Sequence, residues 1–186
     1  MSTATEVTTD ELIEKLYSIE GKAEIVDRRI VRMSPSPAGN FPGSAAGAIY
    51  ASLRLHAKRV GGRAYADNVV FLINLPRRKS FCPDAAYFTR PRSGMKFLNG
   101  APVFAVQVRS ETDYAPGAEK QISDKRAEYF AAGTKVMWDI DLVSDEPIRA
   151  YRAAAPETPQ VFRSGESANA EPAVPGWTFP VDEFYD

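Results

Sequence analysis

Apolar positions along this chain follow two rhythms, and each predicts a different element. Between Gly43 and Val60, the residues Ala45, Ile49, Leu53, His56 and Val60 recur every three or four positions, the spacing of one helix face. Ala118, Ile122, Lys125, Tyr129 and Ala132 repeat that spacing, and Gly133 stands where a helix ends in left-handed backbone. Thr8 and Glu11 have the separation of a capping box, which predicts a short first helix through Tyr17. Elsewhere the period shortens to two. Residues 24–33 predict a β-hairpin whose apolar arms flank a tight polar turn. Further strands are expected over 63–75 (one or two), 81–89, 102–109, 135–141 and 148–152, with a turn at Ser144 to Pro147. Ser34 to Pro42 carries three prolines and reads as a loop. Pro76 to Lys79 reads as a basic loop, and 153–176 as loop with one short strand near Val161.

Hairpins mixed with two main helices predict a single α+β domain over residues 1–186. The helix between the strands at 102–109 and 135–141 has the place of a crossover that would make those strands parallel neighbours.

Composition narrows the function classes. A 186-residue chain with 44% hydrophobic and 25% charged residues is an ordinary globular protein with a substantial core. Its apolar runs are too short to cross a bilayer, and its polar, acidic start does not resemble a signal peptide. Cys82 is the lone cysteine, so no internal disulfide is expected and a cytoplasmic protein is. A net charge of −1 excludes a globally basic nucleic-acid binder. Contact with DNA would fall to local groups: Arg28, Arg29 and Arg32; Arg77, Arg78 and Lys79; Arg90, Arg92 and Lys96. His56 is the only histidine and lies on a helix stripe, where a packed and satisfied side chain is expected. It leaves little room for a histidine triad or a histidine-rich zinc site. Nor is there a phosphate-binding glycine loop.

Two features point to chemistry. Alternation from Val103 to Arg109 puts Phe104, Val106 and Val108 on one face of a strand and Gln107 and Arg109 on the other. A polar end on an otherwise apolar face marks either a site or a half-exposed strand. In the following helix, Lys125 interrupts an apolar stripe. It either snorkels to solvent or points at something anionic.

An ordered set of segments resembles a known family. The set comprises residues 24–35, Cys82-Pro83-Asp84-Ala85-Ala86-Tyr87, Val106-Gln107-Val108-Arg109-Ser110, Asp124 to Tyr129, Ala132-Gly133, Trp138 to Asp141, Tyr151-Arg152 and 175–184. Together they resemble the Uma-type "putative restriction endonucleases", a branch of the PD-(D/E)XK nuclease superfamily. The resemblance implies a mixed sheet flanked by helices and DNA hydrolysis assisted by Mg²⁺ or Mn²⁺. It implies Asp84, Glu24 and Gln107 as metal-holding residues, with Gln107 standing where the family has glutamate. It implies Lys125 as the helical lysine that orients water or phosphate. Arg109 occupies the motif-lysine position, where its permanent charge suits a phosphate clamp better than a base. A homodimer is expected if both strands of a duplex are cut. Asp67 is either a further acidic site residue or a surface turn residue. The chain departs from the family at Gln107, at Pro42 in place of a histidine, and at Ser110-Glu111-Thr112. Those departures leave a second reading open: a protein that keeps the fold and binds nucleic acid or acts as a scaffold without cutting.

Overall fold

The computed structural model describes residues 7–33, 39–91 and 93–185. Most of the expected proline loop (residues 34–38) and Arg92 lie outside the described residues. In chain order the elements are α1 (Thr9–Tyr17), β1 (Ala23–Val26), β2 (Arg29–Arg32), α2 (Asn40–Val60), β3 (Arg63–Tyr65) and β4 (Phe71–Leu72). They continue with β5 (Ser80–Phe81), β6 (Ala85–Phe88), β7 (Leu98–Asn99), β8 (Phe104–Val108), α3 (Ala118–Ala131) and β9 (Val136–Ile140). The last are β10 (Ile148–Arg152), β11 (Ala155–Phe162), β12 (Ser167–Asn169) and β13 (Thr178–Pro180). The expected α+β fold is present.

Local chemistry sets most boundaries. Thr8 caps α1, and the Glu11 carboxylate accepts the Thr8 N–H at 2.7 Å, which closes the capping box. Asp27 and Arg28 both adopt left-handed backbone (φ 47° and 60°) between paired Val26 and Arg29. Positive φ at both central residues is the two-residue turn that suits the twist of a hairpin. Helix α2 starts at Asn40, three residues before the expected Gly43. Pro42 is tolerated there because first-turn N–H groups have no partner inside the helix.

Six strands form the main sheet in the order β11-β10-β9-β8-β6-β3. Within this sheet only β8 and β9 pair in parallel, and α3 is the crossover between them, as the spacing predicted. One face packs under α2, where Ile49 and Leu53 meet Phe104, Val106 and Trp138. Trp177 from the C-terminal segment stacks on Trp138 at 5.2 Å and donates Nε1–H to Ser52 Oγ at 3.0 Å, tying that segment to α2. Each such ring removes on the order of 200 Å² from water, worth about 5 kcal/mol of transfer free energy. The opposite face packs under α3, where Tyr129 covers Ala105 and Met137 and stacks on Phe81 at 3.8 Å.

Four expectations need correction. The strand expected over 81–89 is split: Cys82, Pro83 and Asp84 separate β5 from β6, because proline has no N–H for a ladder. The region after 153 holds an eight-residue strand, β11, rather than one short strand. It is an edge strand with a register shift opposite Ala150 and Arg152, where Pro156 and Pro159 are tolerated. Val60, expected on the buried stripe, is exposed at the end of α2. His56 is packed as expected but not satisfied as expected, since neither ring nitrogen has a partner among the described residues.

Candidate active site

The site is assembled where β1, the β5–β6 connection, the end of β8 and α3 meet. Glu24 lies on β1 and is fully buried. Its Oε1 accepts the Cys82 backbone N–H at 2.8 Å and lies 2.9 Å from Lys125 Nζ. Its Oε2 accepts Arg78 Nη1–H, and Arg78 Nε also bonds Glu128 Oε2 at 2.6 Å. Lys125 Nζ continues the chain of contacts, donating to Gln107 Oε1 at 2.9 Å. The lysine therefore turns inward: it is 9% exposed and joins a carboxylate to an amide. The remaining end of Gln107 bonds back to the Val106 carbonyl at 3.1 Å. These groups line a cleft of about 320 Å³ that opens beside the hairpin residues Val31 and Met33.

Asp84 reaches the same region from the other side. Its backbone N–H bonds the Val106 carbonyl at 2.9 Å, fixing it at the entrance to β6. Oδ2 accepts the Val108 N–H at 2.7 Å, and Oδ1 accepts Lys22 Nζ–H. Lys22 also bonds Asp67 Oδ1 at 2.9 Å. Asp67 and Asp84 line a second cavity of about 240 Å³, walled by Pro42, Gly43 and Gly47 of α2. Val108 borders both cavities, so the acidic groups are divided by the end of β8.

Electrostatic influence crosses that divide. Burial pushes the Cys82 thiol from 9.0 up to about 12; Glu24 and Asp67 add to the rise while Lys22 and Lys125 oppose it. The Tyr129 hydroxyl is raised well above its usual value by burial first, then by Glu24, Cys82 and Asp84. That hydroxyl is buried and has no hydrogen-bond partner among the described residues. Cys82 is expected to resist iodoacetamide at pH 8 in the native protein and to react once urea unfolds it, as read by mass spectrometry. Its raised folded value makes the neutral thiol's contribution to stability complete below about 9 and progressively lost from there toward 12.

Arg109 is placed apart from these contacts. Its Nε and Nη2 bond the two Asp139 oxygens at 2.8 and 2.7 Å, and Nη1 bonds Glu119 of α3. Hydrogen bonding to Asp139 raises its already high pKa further. Of the basic groups anticipated for DNA, Arg78 is buried against Glu24 and Glu128, Arg77 pairs with Asp27, and Lys96 pairs with Glu14. Sequence reading missed Lys22, Glu128 and Asp139. Lys22 had a usable signal, since it stands two residues before Glu24 and alternation puts both on one face. Asp139 had none, since only the β8–β9 register sets it opposite Gln107. Among the described residues, no three His, Cys, Asp or Glu side chains converge as a ready set of metal ligands. No helix of the described chain is long and apolar enough to cross a membrane.

A family model described as "Putative restriction endonuclease" matches residues 10–182. The crystal structure of a "putative nuclease" from Anabaena variabilis aligns with 96% of this chain and 97% of its own at 16% identity, with a TM-score of 0.73. At that identity it shows the fold. No curated protein matches this chain.

Proposed function

Because the chain belongs to this restriction-endonuclease family, we propose that it is a nuclease that hydrolyses DNA phosphodiester bonds with the help of a divalent cation, Mg²⁺ or Mn²⁺. The observation that carries the reading is the buried Glu24 carboxylate held within 2.9 Å of Lys125, which in turn holds Gln107. A carboxylate, an ammonium and an amide oxygen converging in one cleft is an arrangement suited to a phosphodiester and a hard cation.

The donor chemistry fits such an ion. Asp84 and Glu24 offer carboxylate oxygens and Gln107 an amide oxygen, all hard donors, and Mg²⁺ is commonly held by one or two carboxylates and several waters. Charge balance agrees. Glu24, Asp67, Asp84 and Glu128 oppose Lys22, Arg78 and Lys125, a balance of −1 that becomes neutral with one divalent ion and one phosphodiester. When bound, the ion supplies a water of lowered pKa and neutralises charge on the phosphate. The protein groups do the rest. Arg78 and the Cys82 N–H fix the Glu24 carboxylate, and Lys125 Nζ offers its protons to a phosphate oxygen. Arg109 holds the end of β8 to β9 and α3.

The test is nicking of supercoiled plasmid and cleavage of labelled duplex with Mg²⁺ or Mn²⁺. Cleavage is expected, with complete loss on chelation. Gln107→Glu, which restores a negative charge 2.9 Å from Lys125, is expected to tighten Mn²⁺ binding by about tenfold or more. Absence of cleavage of any DNA by both proteins would count against the reading.

One observation favours the second reading, a nuclease fold that binds nucleic acid without cutting. Each acidic group already has cations in place, Lys22 on Asp84 and both Arg78 and Lys125 on Glu24. That reading predicts a mobility shift with DNA that needs no divalent ion and is unchanged by Asp84→Ala.

A further inference from the structure

We propose that Lys22 is a tethered cation that occupies the Asp84–Asp67 pair, and that a divalent ion reaches Asp84 by displacing it. The inference rests on the reading of Asp84 as a metal-holding residue and concerns how that site is kept before the ion arrives.

Three observations carry it. Lys22 Nζ bridges two carboxylates from different loops, Asp84 Oδ1 and Asp67 Oδ1. Asp67 is positioned for this by its own turn, in which Oδ1 accepts the Asn68 N–H at 2.7 Å while Asn68 takes left-handed backbone (φ 64°). Second, the two Asp84 oxygens have partners of unequal permanence. Oδ2 is held by the Val108 N–H, which strand β8 fixes, whereas Oδ1 is held by an ammonium on a flexible four-carbon stem. Only the second partner can leave without unpairing a strand. Third, both carboxylates face a cavity of about 240 Å³, well above the roughly 10–15 Å³ that a single water needs. A hydrated ion therefore has space beside the two carboxylates.

The consequence is an exchange. The ammonium balances the carboxylates while no ion is bound, so the acidic residues stay ordered without repelling one another. When the ion takes Asp84, Lys22 is released from both carboxylates.

Calorimetric titration with Mn²⁺ tests this without reference to cleavage. Lys22→Met keeps the stem and removes the charge. It is expected to bind Mn²⁺ roughly tenfold or more tightly than the wild type, and the gain is expected to vanish in Lys22→Met/Asp84→Asn. Equal or weaker binding by Lys22→Met overturns the proposal. If Asp84→Asn abolishes wild-type binding in that case, the nuclease reading stands alone. If no protein binds Mn²⁺, both fall. A second measurement needs no variant. Acetylation of Lys22 by acetic anhydride, followed by mass spectrometry, is expected to rise with added Mn²⁺ while that of the exposed Lys120 stays constant. Unchanged labelling of Lys22 at saturating Mn²⁺ overturns the exchange.

Discussion

Arg109→Ala is expected to lower the unfolding free energy by about 3–5 kcal/mol, the range for removing one partner of a buried ion pair. The guanidinium side chain is 5% exposed and the carboxylate of Asp139 is 2% exposed. Their two parallel bonds are the fork geometry that makes an arginine–carboxylate pair strong. Without Arg109, Asp139 is left charged in the sheet with Asp141 close by, since that carboxylate lies 3.9 Å from the same guanidinium. Arg109→Lys should recover little, because an ammonium cannot form the fork. Arg109→Leu combined with Asp139→Leu should recover most of the loss, because neither charge then needs a partner. Urea unfolding checks all three, read as midpoint shifts at constant slope. A loss below about 1 kcal/mol accompanied by a fall in DNA affinity would return Arg109 to the role of phosphate clamp.

Asp84→Ala is expected to reduce metal-dependent cleavage by at least about a hundredfold, the scale of losing a group that stabilises transition-state charge. The same substitution removes the acceptor of the Val108 N–H, so a structural cost of roughly 1–3 kcal/mol comes with it. Asp84→Asn separates the two effects. Its amide oxygen still accepts the Val108 N–H while the charge is gone. Its fold should therefore stay close to wild type in thermal unfolding, while its cleavage falls as far as that of the alanine variant. Asparagine cleaving at the wild-type rate would remove Asp84 from the metal-holding residues.

The structure changes the meaning of several residues without changing their positions in the chain. Gln107 and Arg109 point to the same face of β8, as alternation predicted, yet they meet different groups. Gln107 meets Lys125, one α3 turn before Tyr129, and Arg109 meets Glu119 at the start of the helix. Strand periodicity assigns a face and cannot say which turn of a crossing helix covers each position. Lys125 shows the same limit. Its place in an apolar stripe left both snorkelling and an inward anion open. Only the arrival of Glu24 from a hairpin about a hundred residues earlier settles the direction.

Periodicity and turn chemistry by themselves determined the capped first helix, the hairpin and the two main helices, because each is encoded within a few residues; the place of α3 between two strands made their parallel pairing an expectation that the sheet order bears out. The ordered motifs were enough to identify the family. What only the tertiary structure decided was charge pairing. Lys22 joins Asp84 to Asp67, Arg78 and Lys125 share Glu24, and Arg109 is committed to Asp139. Whether a buried charge is free to act depends on the opposite charge that long-range folding sets beside it. Coulomb attraction at 3 Å is blind to sequence separation. The first half of β11, and β12 and β13, were also beyond reach of local reading, because proline-rich and alanine-rich segments become strands only when a neighbouring edge supplies the hydrogen bonds.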